Sequence, residues 1–163
     1  MPREVLSILV DNHSGVLTRV ASLFGRRGFN IDSLAVGVTN DPNVSRITIV
    51  ADGDEYVVEQ LEKQLNKVIP VIKVKAYEEG TYLSRELALI KVHCSTAKRS
   101  EIMQIAQVMD AKIVDVAQTT VTFEYSDTVE KIETLINLLK PYGIREIVRT
   151  GTVAIEKGAA TAR

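Results

Sequence analysis

Residues 6–38 read LSILVDNHSGVLTRVASLFGRRGFNIDSLAVGV, and this stretch decides the fold. Leu6 to Val10 is a short apolar run, a strand bounded by the polar turn Asp11-Asn12-His13-Ser14-Gly15. Leu17, Val20, Ala21 and Phe24 then recur at helical spacing. Arg26 and Arg27 suit the negative end of that helix, and Gly28 is its expected left-handed stop. A second strand runs from Ile31 to Val38. The turn before the helix aims unpaired backbone N–H groups outward, and the helix dipole adds to them. Such a turn is a receptor for a small anion, for example a carboxylate. Asn12 offers a side-chain amide, and Gly15 leaves room for close approach.

Outward from this block the order is strand, helix, strand, strand, helix, strand. Asn40-Asp41-Pro42-Asn43 is a hairpin loop, and Arg46 to Ala51 a third strand. Asp52 to Asp54 opens a second helix with the face Val58, Leu61, Leu65 and Val68. Pro70 ends it, and Val71 to Ala76 is the fourth strand. The polar segment Glu78-Glu79-Gly80-Thr81 breaks periodicity. The same order then recurs: strand Leu87 to Val92, helix face Ile102, Ile105, Ala106 and Met109, and strands around Ile113 to Val116 and Thr120 to Tyr125. A helix through Val129, Ile132, Leu135, Ile136 and Leu139 and a strand Ile144 to Val148 complete it, with Val153 to Ile155 as its extension. Phe29-Asn30-Ile31-Asp32 matches Lys112-Ile113-Val114-Asp115 loosely. The expected architecture is α+β, two ferredoxin-like βαββαβ sandwiches in tandem. The expected division is a first domain over 1–77, a linker over 78–82 and a second domain over 83–163, with a frayed tail from Gly158. In this topology the second strand is an apolar edge with only Asp32 to blunt it. Such an edge calls for cover, and pairing with its own copy supplies it. The edge residues are Asn30, Asp32, Leu34, Val36 and Val38.

Asn12-x-x-Gly15-Val16-Leu17, then Arg19-Val20, Leu23-Phe24-x-x-Arg27-Gly28-Phe29-Asn30-Ile31 and Ser33-Leu34 resemble the amino-acid-binding ACT domain. Asp41-Pro42, Ser45 to Val50 and the run Glu59 to Lys67 narrow the resemblance to the regulatory small subunit of acetohydroxyacid (acetolactate) synthase. The match is dense to about Lys75 and thinner beyond, with a layout that fits to the C-terminus. Ser14 departs from the wider ACT pattern, where Pro is common. The resemblance implies a branched-chain amino acid, valine or a relative, held at a dimer interface. Asn12, His13, Ser14, Gly15 and Val16 would take its carboxylate end. Asn30 and Ile31 of the partner chain would face the rest. It also implies a catalytic large subunit that uses thiamine diphosphate, Mg and FAD, with no cofactor on this chain.

Other classes are weaker. The 163 residues carry a formal charge of −1, with both signs interspersed, so no basic footprint marks a nucleic acid or anionic membrane. No apolar run reaches membrane-spanning length, and the lone Cys94 suits a reducing cytoplasm. His13 and Ser14 are neighbours in a turn without a third orienting group, which argues against a nucleophile. His93 and Cys94 lie on opposite faces of a strand and lack the partners a metal needs. An acylphosphatase-like hydrolase would have to recruit Gly15, Arg19 and Asn30, and the apolar edge would go unexplained. Another alternative is the amino-acid-sensing ACT module of a different biosynthetic enzyme. RNA binding fails on the absence of aromatics from the two central strands. Arg46 is expected to pair with Asp32 or Asp41 and is assigned no site. The purified chain, supplied with thiamine diphosphate, Mg, FAD and pyruvate, is expected to form no acetolactate. Turnover that persists after removal of any catalytic chain would overturn the non-catalytic reading.

Overall fold

The computed structural model describes residues 3–26 and 29–162, so Arg27 and Gly28, the expected helix stop, lie outside the described residues. The chain divides into two compact units, residues 1–84 with 152–163, and residues 85–151.

The first unit contains β1 (Arg3–Asp11), α1 (Val16–Arg26), β2 (Ile31–Val38), β3 (Val44–Asp52), α2 (Glu55–Asn66) and β4 (Val71–Ala76). The antiparallel sheet has the order β2-β3-β1-β4, which puts β2 at an edge. Leu6, Ile8 and Val10 of β1 and Ile47, Ile49 and Ala51 of β3 pack with Val20 and Phe24 of α1 and Val58, Leu61 and Leu65 of α2. Asp54 caps α2 by accepting from Val57 N at 3.0 Å. Thr39 N and its hydroxyl both donate to Val44 O, closing the expected β2–β3 hairpin.

The opposite face of this sheet is also covered. Leu9, Ser7 and Thr48 point away from the helices, yet each is buried. The cover comes from the C-terminus. Strand β5 (Tyr82–His93) begins in this unit, and Ala154 of β9 (Val153–Glu156) and Ala162 bury against Val5, Val50 and Tyr77. Tyr77 stacks on Tyr82 with centroids 5.4 Å apart, Glu156 pairs with Lys75, and Lys157 N donates to Thr81 O at 2.9 Å.

Four expectations change here. Residues 152–163 cluster with the first unit instead of ending a second domain over 83–163. Ala162 is buried, so the tail is not frayed throughout. Val153 to Ile155 is a separate strand and not an extension of β8, because Gly151 takes φ 85° and turns the chain. The linker also shortens, since Tyr82 already belongs to β5.

The second unit continues β5 with α3 (Arg99–Met109), β6 (Lys112–Val116), β7 (Thr120–Asp127), α4 (Val129–Leu139) and β8 (Ile144–Arg149). Its order β6-β7-β5-β8 repeats the first sheet. Ile90, Val92, Phe123, Ile102, Ile132 and Leu135 form its core. Asp110 at φ 55° ends α3, and Thr128 caps α4. Buried Glu86 pairs with Arg149, which also donates to Glu133 at 2.8 Å. These contacts raise the Arg149 pKa against the opposing effect of burial.

The repeat extends to the irregularities. The second strand of each unit shifts register, between Ile31 and Ser33 and between Ile113 and Asp115. These bulges align Asp32 with Val114, one residue away from the alignment drawn on sequence alone.

Ala154→Asp should destabilise the chain by about 2–4 kcal/mol in urea unfolding, because it places a carboxylate in an apolar contact. A loss below about 0.5 kcal/mol, the size of a surface effect, would show that β9 does not seal this face.

Candidate functional site

The β1–α1 turn lies at one end of the first sheet. Its frame is built by main-chain bonds: Asp11 N donates to Pro70 O at 2.9 Å, and Asn12 N to Asn43 O at 2.8 Å. Asn12 Nδ2 donates to Pro42 O at 3.0 Å. One of the two amide hydrogens expected to meet a ligand is therefore used to fasten the turn to the β2–β3 hairpin. Pro42 and Asn43 thus join the site as supports, a role visible in the sequence only as a hairpin loop. Asn43 is itself fixed by donating from its N–H to Asp41 Oδ1 at 3.0 Å.

Gly15 sits at the junction of turn and helix. It takes φ +85°, where an L side chain is strained, and a Cβ built there meets nothing within 4 Å. The first helical bond of α1 runs from Arg19 N to Gly15 O at 3.2 Å. Gly15 is thus the N-cap residue, and it has no side-chain oxygen to satisfy the first turn. Asp54 and Thr128 perform that service for α2 and α4. No side chain among the described residues caps the first turn of α1. A glycine cap, a positive φ and empty space above it make an open seat for a carboxylate at the positive end of a helix.

The remaining candidates are distributed as follows. Asn12, His13, Ser14 and Gly15 are all exposed, and Val16 is buried in the core beneath them. His13 Nδ1 lies 3.4 Å from Ser14 O and forms no hydrogen bond with the Ser14 hydroxyl. Arg19 is on the exposed side of α1. Within one chain Asn30 and Ile31 lie at the other end of the sheet. Ile31 pairs with Ala51 beside Glu4, and Val38 pairs with Ser45 beside Val10. At about 3.3 Å per residue, β2 places Ile31 roughly 23 Å from Val38.

Along β2 the outer residues are bare. Val36 is 49% and Val38 62% exposed. Asp32 is engaged by Arg3 Nε at 3.1 Å, and Arg46 pairs with neither Asp32 nor Asp41 among the described residues. Cys94 is buried, and the His93 ring lies 3.3 Å from Arg145 Nη2. Among the described residues no helix is long and apolar enough to cross a membrane.

With this geometry in place, comparison with known proteins is decisive. Residues 6–73 match the model of the AHAS small subunit-like ACT domain, and residues 85–158 that of the small subunit of acetolactate synthase. The chain belongs to the acetolactate synthase small-subunit family. It is 49% identical to the acetolactate synthase small subunit of Mycolicibacterium smegmatis over 96% of this chain and 92% of that protein. It is 46% identical to the probable small subunit of Methanothermobacter thermautotrophicus over 97% of this chain and 95% of that one. The crystal structure of the Thermotoga maritima small subunit superposes with a TM-score of 0.91 at 38% identity, covering 98% of this chain and all of that chain. The α+β tandem architecture expected from the sequence is the architecture of this family. An ACT-type domain in a small subunit fits a regulatory, non-catalytic role.

Proposed function

We propose that this chain binds the catalytic subunit of acetolactate synthase and confers feedback by a branched-chain amino acid, valine foremost. The amino acid sits where two copies of the first unit pair through β2. The observation that carries the reading is the uncapped start of α1 behind Gly15, in a chain of this family. Thiamine diphosphate, Mg and FAD belong to the catalytic partner on this reading.

The separation of the two halves of the candidate site supports pairing between copies. A two-fold axis near the middle of β2 runs the partner strand antiparallel to it. That places Asn30 and Ile31 of the partner subunit beside Val38, at the end of the sheet that carries Asn12 to Gly15. The carboxylate then faces the α1 amides and Asn12. The amino group and side chain face the partner. One chain alone holds only half of this arrangement.

Val36→Lys tests the pairing. It sets two ammonium groups near a shared edge and blocks strand addition, and Val36 is exposed enough for the fold to tolerate it. Sedimentation should show a dimer for the parent and a monomer for the variant. A folded variant that still dimerises would place the interface elsewhere.

Gly15→Asp and Gly15→Asn test the effector seat together. Both impose the same backbone strain, and both residues are the side chains that best tolerate a left-handed φ. Only Asp adds charge. Two like charges about 4 Å apart at an effective dielectric near 20 repel by roughly 4 kcal/mol, about a thousandfold in affinity. Saturating valine, at about a hundred times its dissociation constant, should stabilise the parent by roughly 2.7 kcal/mol. The Asp variant should gain almost nothing, and the Asn variant should retain more of the gain. Equal gains in parent and Asp variant would move the effector away from this turn.

A further inference from the structure

On the face of the first sheet away from the helices, a cavity of about 540 Å³ opens between the second half of β2, β3 and the returning C-terminal segment. All of its walls belong to the first unit. Its size falls within the range of small-molecule sites. Arg46 and Thr48 of β3 line it, and Glu156 closes one side. Arg46 Nε is buried and finds no acceptor among the described residues. Arg46 forms no ion pair among the described residues, which leaves its guanidinium charge at the cavity wall without a counter-charge.

The floor is unusually small. Gly37 pairs with Arg46 and Ala35 with Thr48, so their Cα substituents point to the same face as Arg46. A Cβ at Gly37 would meet nothing within 4 Å, and its φ lies outside the left-handed range. A strand glycine with free space and no conformational demand leaves volume that a β-branched residue would fill. Glu156 is ion-paired with Lys75, so it offers a cation little. Its carboxylate still disfavours a multiply charged anion.

We propose that this cavity is a second ligand site, distinct from the α1 turn, for a small monocarboxylate with a short apolar body. The carboxylate pairs with the terminal N–H groups of the Arg46 guanidinium, which lines the cavity and forms no ion pair among the described residues, and the apolar body lies over Gly37 and Ala35. The proposal does not depend on the valine reading.

Isothermal titration of the full chain with isovalerate, in saturating valine so that any site at the α1 turn is filled, tests it. One site per chain should appear in the millimolar range. Arg46→Met, which keeps length and removes the donor, should weaken binding by about tenfold or more, as expected for a hydrogen bond to a charged group. Gly37→Val should weaken it comparably by occupying the floor, while circular dichroism and melting stay close to the parent. 3-Methylbutanol and inorganic phosphate should each bind much more weakly than isovalerate. Absence of isovalerate binding to the parent would overturn the proposal. So would binding that a folded Gly37→Val variant retains in full, or phosphate binding as tight as isovalerate binding.

Discussion

The constraint on which the first unit depends is the double burial of β1. This strand is paired on both sides, by β3 and β4, and covered on both faces. Leu6, Ile8 and Val10 meet the helices, while Val5 meets Ala154 and Ala162 of the returning chain. A strand held in four directions cannot shift register without exposing apolar surface. Its C-terminal end is therefore a fixed point, and the turn that follows inherits that rigidity. Asp11 N on Pro70 O and Asn12 on Pro42 O and Asn43 O carry the constraint from the sheet into the turn. An anion seat built of main-chain N–H groups works only if those groups are already aimed, because their ordering would otherwise be charged against the ligand.

Much of this was legible in the sequence, and the reasons differ by element. The helices declared themselves by spacing, as in Val58, Leu61 and Leu65, all buried in α2. The edge position of β2 followed from topology once two βαββαβ units were recognised. The return of residues 152–162 to the first sheet was not read, although a signal existed. Val5 to Val10 is apolar at nearly every position, and a strand with one wet face should alternate. The missing alternation marked a second covering layer. What supplied the layer was hidden, because Ala154 and Ala162 are small residues in a segment whose composition matches a loose tail. Asn12 was assigned to the ligand, yet one of its amide hydrogens serves the frame. That partition depends on where Pro42 O falls, which only the folded hairpin reveals. Gly15 was read for its space. Its position as the N-cap, which leaves the first turn of α1 without a side-chain acceptor, is a fact of geometry.

The two units share one topology and differ in how their first helices begin. Both have the same strand order and the same bulge in the second strand. Their helix starts differ. The first unit enters α1 through a glycine at φ +85°, directly from the turn. The second enters α3 through a 3-10 turn, Thr96–Lys98, after Ser95, with no matching glycine. The sheet alone therefore does not make the seat. On the proposed reading the loop between the first strand and the first helix makes it, and among the described residues only the first unit has a loop of that form. This is the sense in which function resides in a site placed on a fold and not in the fold itself.

On the proposed pairing, the effector would act through the same edge that the fold leaves exposed. A ligand that touches the α1 turn of one chain and β2 of its partner has a complete site only in the dimer. Its binding free energy then depends on the relative placement of the two copies, which is the differential affinity any allosteric effect requires. The turn itself is unsuited to large movement, being tied to β1, to the hairpin and to Pro70. On that pairing the adjustable element would be the seam between copies, where the exposed Val36 and Val38 would form a small apolar contact. Rigid seats on either side of a deformable seam would convert occupancy into a change of angle between copies. A catalytic partner that contacts both copies would register that angle without touching the amino acid.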